Sequence, residues 1–130
     1  MRKVRRLLVL VALAALMASC GGSTPSSPSD GGGTPTPATT ITLTTAGVSQ
    51  AAISVSQGTR VLFVNNDTRT REMFSDPHPE HTDCPELNSV GSLSPGQRRE
   101  TGNLNTIRTC RYHDHNDPNN PRFQGRIVIQ

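Results

Sequence analysis

Residues 51–67 read AAISVSQGTRVLFVNND. Ile53 and Val55 alternate with small polar residues, the period of a half-buried strand. Val61 to Val64 is more continuously apolar, and Gln57-Gly58 stands between the two runs as a turn. Asn65-Asn66-Asp67 ends the second run with side chains that favour turns and strand ends. Two short strands, a Gly turn and an Asx cluster in seventeen residues set the pattern for the rest of the domain.

Outward from this stretch the same signals recur. ITLTT at 41–45 alternates apolar and hydroxyl residues, and SPGQ at 94–97 is a turn before a polar strand over 98–102. LNTIRTCRY (104–112) and GRIVIQ (125–130) supply two more strands. No window carries a capped period of 3.6, so no substantial helix is expected. The chain has no Trp, one Tyr and three Phe, so Val, Ile and Leu must fill its core. The expected fold is all-β: a small antiparallel Greek-key β-sandwich over 41–130. Between Val64 and the next clear strand lies a polar excursion, roughly 65–90, whose length in a small domain points to function.

The N-terminal part is of a different kind. Arg2, Lys3, Arg5 and Arg6 precede the apolar run Leu7–Met17, which is shorter than the roughly 20 residues that span a bilayer. The sequence then reads LMASC, which resembles a bacterial lipobox. That resemblance implies a signal peptide over 1–19, cleavage before Cys20, and acylation of Cys20 into a lipid bilayer on the periplasmic or cell-surface side. Residues 21–40 are Gly, Ser, Thr and Pro with no large apolar side chain, so they cannot offset their own ordering entropy. As a coil of about 20 residues this linker reaches roughly 25 Å. Processing also removes the basic excess: 13 cations less the 4 of the leader leave 9 against 10 anions. A nucleic-acid partner, which needs a basic face, is therefore not expected.

The chemistry sits in two patches. His78-x-x-His81-x-x-Cys84 and Cys110-x-x-His113-x-His115 together hold all four histidines and both cysteines other than Cys20. Thiolate and imidazole suit copper and zinc. On a strand, Cys110 and His113 have opposite parity, so they converge only if the chain turns after Tyr112. The competing role for the thiols is a disulfide. Two cysteines left in an oxidising compartment are more often bridged than free, and a Cys84–Cys110 bond closes about 27 residues, worth on the order of 3–4 kcal/mol. Cys110 cannot be both bridged and a thiolate ligand. Asp76, Asp83 and Asp114 fit turn formation or the orienting of imidazoles. No nucleophile triad or metalloprotease helix motif accompanies them, so the chain does not read as an enzyme.

GTRVLFVNND, LSPGQ, CRYH and FQGRIVIQ together resemble the cupredoxins, the plastocyanin-like blue copper domains, over roughly 41–130. The resemblance implies a copper cofactor held by a Cys and two His with a weak axial ligand, and a redox protein as partner. By position it makes Cys110 the thiolate and His113 an imidazole ligand. It departs from the family at two places: Arg71 stands where the first His is expected, and Phe123 where the axial Met is expected. His78 or His81 can replace the missing ligand, since the excursion follows the Asn-Asn-Asp turn at the copper-binding end of that fold. Met73 lies nearby and could help, but reads rather as a surface or core thioether.

Overall fold

The computed structural model describes residues 39–130, in which strands form two facing sheets with no helix beyond short 3₁₀ turns. The expected leader, Cys20 and the linker up to residue 38 lie outside the described residues. One sheet contains β1 (Thr40–Thr44), β2 (Gly47–Val48), β4 (Leu62–Asn65) and β7 (Arg98–Glu100), in the order β2-β1-β4-β7. The other contains β3 (Ala52–Val55), β5 (Arg71–Ser75), β6 (Gly91–Leu93), β8 (Thr109–Asp114) and β9 (Gly125–Ile129), in the order β3-β9-β8-β5-β6.

The strands expected from alternation are present, and so are the turns at Gly58 and Gly96, both at positive φ. Both sheets are mixed, however. β1 runs parallel to β4, and β3 parallel to β9, while the remaining pairs are antiparallel. After β2 the chain crosses to the opposite sheet for β3, then returns beside β1. That crossing sets strand direction, and side-chain periodicity carries no record of it.

The inward faces of the two sheets make the core. Ile41 and Leu43 of β1, Phe63 of β4, Tyr112 of β8 and Ile127 of β9 are all buried. Phe63 meets Tyr112 edge to face across the sheets, ring centroids 5.4 Å apart, a favoured geometry for aromatic pairs. Tyr112 donates its hydroxyl to the Gln50 carbonyl at 3.2 Å, and burial pushes its pKa up. Directly opposite Tyr112 on β9 lies Gly125, where an added Cβ would stand 2.2 Å from the Tyr112 hydroxyl and 2.9 Å from the Ala51 carbonyl. Gly125→Ala is therefore expected to cost about 1–3 kcal/mol by overpacking, read as a lower midpoint in urea with unchanged slope.

The excursion at 65–90 is not one loop. β5 lies inside it, hidden in the sequence because Arg71 and Ser75 point inward while Phe74 points outward. A second correction concerns Cys110. The strand expected over 104–112 starts later and runs on past Tyr112: residues 101–108 are irregular, Ile107 is 67% exposed, and β8 begins only at Thr109. Cys110 thus opens the strand, and the chain continues extended through Tyr112 to Asp114.

Candidate metal centre

That uninterrupted strand decides what Cys110 can reach. Cys110, Tyr112 and Asp114 share the core side of β8; His113 has the opposite parity and lies on the outer face of the sheet, opposite Phe74 of β5. Cys110 and His113 do not converge. Cys110 is instead bonded to Cys84, S–S 2.07 Å and Cα–Cα 5.5 Å. A sulfur bonded to sulfur is no thiolate, so Cys84 and Cys110 are corrected from metal ligands to a crosslink between the excursion and β8. Met73 shares the core side and is fully buried, well placed to pack and not to bind.

All four imidazoles meet on the outer face. One ring nitrogen from each of His78, His81, His113 and His115 lies within 4.8 Å of the other three. The segment after β5 folds back over the sheet and carries His78 and His81. Its turns are held by the His81 amide on the Pro77 carbonyl (2.7 Å) and the Asp83 amide on the Asp76 carbonyl (2.8 Å). Asn88 clamps it to the strand, accepting from the Ser75 amide at 2.9 Å and donating to the His81 carbonyl at 2.8 Å. His81 itself has φ 54°, a left-handed conformation uncommon outside glycine and more often met at functional sites. His115 extends the β5–β8 ladder, its amide donating to the Glu72 carbonyl at 2.7 Å.

The donor set fits a cation. Asp76 sits 2.7 Å from His113 Nδ1; a carboxylate only accepts, so Nδ1 carries a hydrogen and Nε2 is the ring nitrogen left for another partner. That Nε2 is buried and has no hydrogen-bond partner among the described residues, a costly state for a polar atom unless something binds it. His115 Nδ1 and His81 Nε2 face each other at 3.2 Å, close to the roughly 3.3 Å edge of a tetrahedron with metal–nitrogen bonds of about 2.0–2.1 Å. Phe74 stacks on His81 at 4.6 Å and abuts His115 at 5.6 Å, an apolar wall on one side. Burial lowers the His81 pKa, and the neighbouring His113, His115 and His78 lower it further. That shift favours the neutral form of His81 at pH 7, the form in which an imidazole can ligate.

The sign of that shift gives an expected result for the metal-free protein. A depressed folded pKa means that the unfolded chain binds more protons, so the stability present above about pH 6.5 is lost as pH falls through the folded value. Denaturation in urea between pH 7.5 and 5 is expected to show this loss, and His81→Phe should flatten it.

The positions that the family resemblance singles out lie elsewhere, at the end of the sandwich beyond Asp114. Arg71 is buried there, its Nε 2.9 Å from Asp67 Oδ2 and its Nη1 2.9 Å from Asp114 Oδ2. Its guanidinium lies 3.5 Å over the centre of the Phe123 ring. Burial opposes the charge on both Asp67 and Arg71. Hydrogen bonds and the opposite charges win, holding Asp67 low and Arg71 high. Arg71 and Phe123 do meet, as the ligand positions of the resemblance should, but the strand residue that joins them is Asp114, not Cys110. A guanidinium occupies this end, and Asp114 is both its buried ion-pair partner and a turn former, its Oδ1 accepting from the Asn116 amide at 3.2 Å. Asp76 does orient an imidazole; Asp83 serves the turn through its amide alone.

Sequence reasoning singled out the same four histidines that the structure gathers and missed Phe74 and Asn88. Phe74 read as one apolar residue in a polar stretch, and the Asn88 clamp spans elements whose adjacency no local pattern encodes. Similarity to solved structures is confined to shape. A purple cupredoxin from Nitrosopumilus maritimus superposes with TM-score 0.56 at 16% identity, covering 70% of this chain and 98% of its own. The oxidised plastocyanin of Dryopteris crassirhizoma gives 0.53 at 15%, covering 70% and 99%. An amicyanin variant described in its Cu(I) form gives 0.52 at 14%, covering 70% and 80%. No protein-family pattern and no curated protein matches the sequence. The fold is cupredoxin-like.

Proposed function

We propose that this chain is a lipid-anchored copper-binding protein that holds Cu(II) as cargo on the outer face of its five-stranded sheet. The observation that carries the reading is the gathering of one ring nitrogen from each of four imidazoles within 4.8 Å, supported by the buried, unpartnered Nε2 of His113. Four nitrogen donors suit Cu(II) and zinc, whereas Cu(I) is favoured by soft sulfur ligands. With both core cysteines bridged and Met73 buried on the other face, no sulfur among the described residues supports the reduced ion. Copper handling fits this donor set better than electron transfer to a redox protein partner. Acylation at Cys20 and the flexible linker would hold the domain within reach of a membrane, on the periplasmic or surface side, with no catalytic step required of it.

Titration of the full chain with Cu(II) tests the reading. One ion per chain is expected, with a weak visible band, nitrogen hyperfine structure in the electron paramagnetic spectrum, and no intense thiolate-to-copper absorption. Retention of the same spectrum in both His81→Ala and His113→Ala would sink it. A chain that binds only zinc under the same conditions would replace copper as the cargo.

A further inference from the structure

The four ligands are not held alike, and the difference gives the site a direction. His113 is 2% exposed, sits in the β5–β8 ladder and is fixed by Asp76. His81 is stacked on Phe74 and its backbone is tied at both the amide and the carbonyl. His115 is anchored through its amide to Glu72 and touches His81 through Nδ1. His78 alone among the four is exposed. Its side chain makes no hydrogen bond to the described residues and meets the others only ring to ring, at 4.9 Å from His115 and 5.4 Å from His113. Pro77 and Pro79 flank it and restrict the backbone on both sides, which leaves rotation of the imidazole itself as its freedom.

We infer that His78 is the exchanging ligand: Cu(II) is handed to an acceptor by replacement of His78, while His81, His113 and His115 keep hold until the end. This rests on the copper reading above and adds the route by which cargo leaves. In the step, a nitrogen or carboxylate donor of the acceptor forms its bond to Cu(II) as the His78 bond breaks. The ion stays divalent, no electron moves, and His78 is released as a neutral imidazole with its lone pair restored. The matching acceptor is a chelating group of the amino-acid class, an amine or imidazole beside a carboxylate, small enough to approach the exposed side. Phe74 and the sheet close the opposite side.

The test loads the full chain and its variants with Cu(II) and follows loss of the visible band on mixing with increasing free histidine. In the parent chain the rate is expected to rise in proportion to histidine concentration. His78→Ala should still bind one ion, unfold at the same midpoint without metal, and surrender Cu(II) at least about tenfold faster, whereas His113→Ala should bind about 100-fold more weakly or not at all. Two outcomes overturn the inference and leave the copper reading intact. One is a release rate in the parent chain independent of histidine concentration. The other is a His78→Ala chain that loses binding as fully as His113→Ala. A parent chain that takes up no Cu(II) overturns both.

Discussion

Arg71→Met is expected to destabilise the domain by about 3–5 kcal/mol, because it leaves two carboxylates in the protein interior without their cation. Asp67 and Asp114 are both buried, and each is bonded to the Arg71 guanidinium. Methionine keeps much of the packing against Phe123, so the loss is one of charge and hydrogen bonding. Against a typical total of about 5–15 kcal/mol, this brings the domain near its unfolding threshold. The midpoint should fall by at least about 12 °C, at about 4–8 °C per kcal/mol for a domain of this size. Its pH dependence should also reverse in sign relative to the parent. In the parent, Asp67 is held below 3.8, so its contribution is present above about pH 4 and lost as pH falls through the folded value. In the variant the stranded carboxylates prefer to be protonated, so the gap to the parent should narrow between pH 7 and 5. The triple variant Asp67→Asn/Arg71→Met/Asp114→Asn should recover most of the loss. Equal stability of Arg71→Met and the parent would show that the guanidinium is dispensable at this end.

The second large effect is expected from the crosslink. Replacing Cys84 and Cys110 together by Ser releases a closed loop with a sequence separation of 26, at a cost on the order of 3–4 kcal/mol by loop-closure entropy. Arg108, ion-paired to Glu86, then remains as a polar tie between the same two segments. Because His78 and His81 belong to one side of the loop and His113 and His115 to the other, losing the bridge also loosens the site. Affinity for Cu(II) should drop at least tenfold, measured by competition with a chelator of known strength. Reduction of the parent should add the mass of two hydrogens and bring no intense blue or purple colour, since Cys110 faces the core and His113 the opposite side. Strong thiolate-to-copper absorption after reduction would contradict the strand geometry of β8.

Much of this was legible in the sequence. The alternation in ITLTT and AAISVSQGTRVLFVNND yields β1, β3 and β4 because each has one buried face, and a period of two follows from burial itself. The histidines stood out because two tight patches within a short chain are conspicuous, and the structure brings the two patches together. The reading failed where function inverts the pattern. β5 buries Arg71 and exposes part of Phe74, since its inward side serves an ion pair and its outward side the imidazoles. The continuation of β8 past Tyr112 also escaped, because His-Asp resembles loop chemistry until His113 is seen paired with Phe74 of β5. The choice between thiolate and disulfide was left open by spacing alone. It turned on which face of a strand each side chain occupies.

The parallel pairing of β3 with β9 bears on how the domain is made. Ala52 lies beside Arg126 and Val55 beside Ile129, so the sheet that carries the imidazoles is joined by contacts across most of the domain's length. Closing so long a segment is entropically slow, and folds rich in such distant contacts acquire their structure late. β9 also covers the flank of β8, and it is synthesised after every other strand of that sheet. Until then β8 has one open edge and the site no rigid floor. Topology therefore sets an order: the imidazoles can be held firmly only once β9 has closed on β8, so any cage built from them would form late in folding.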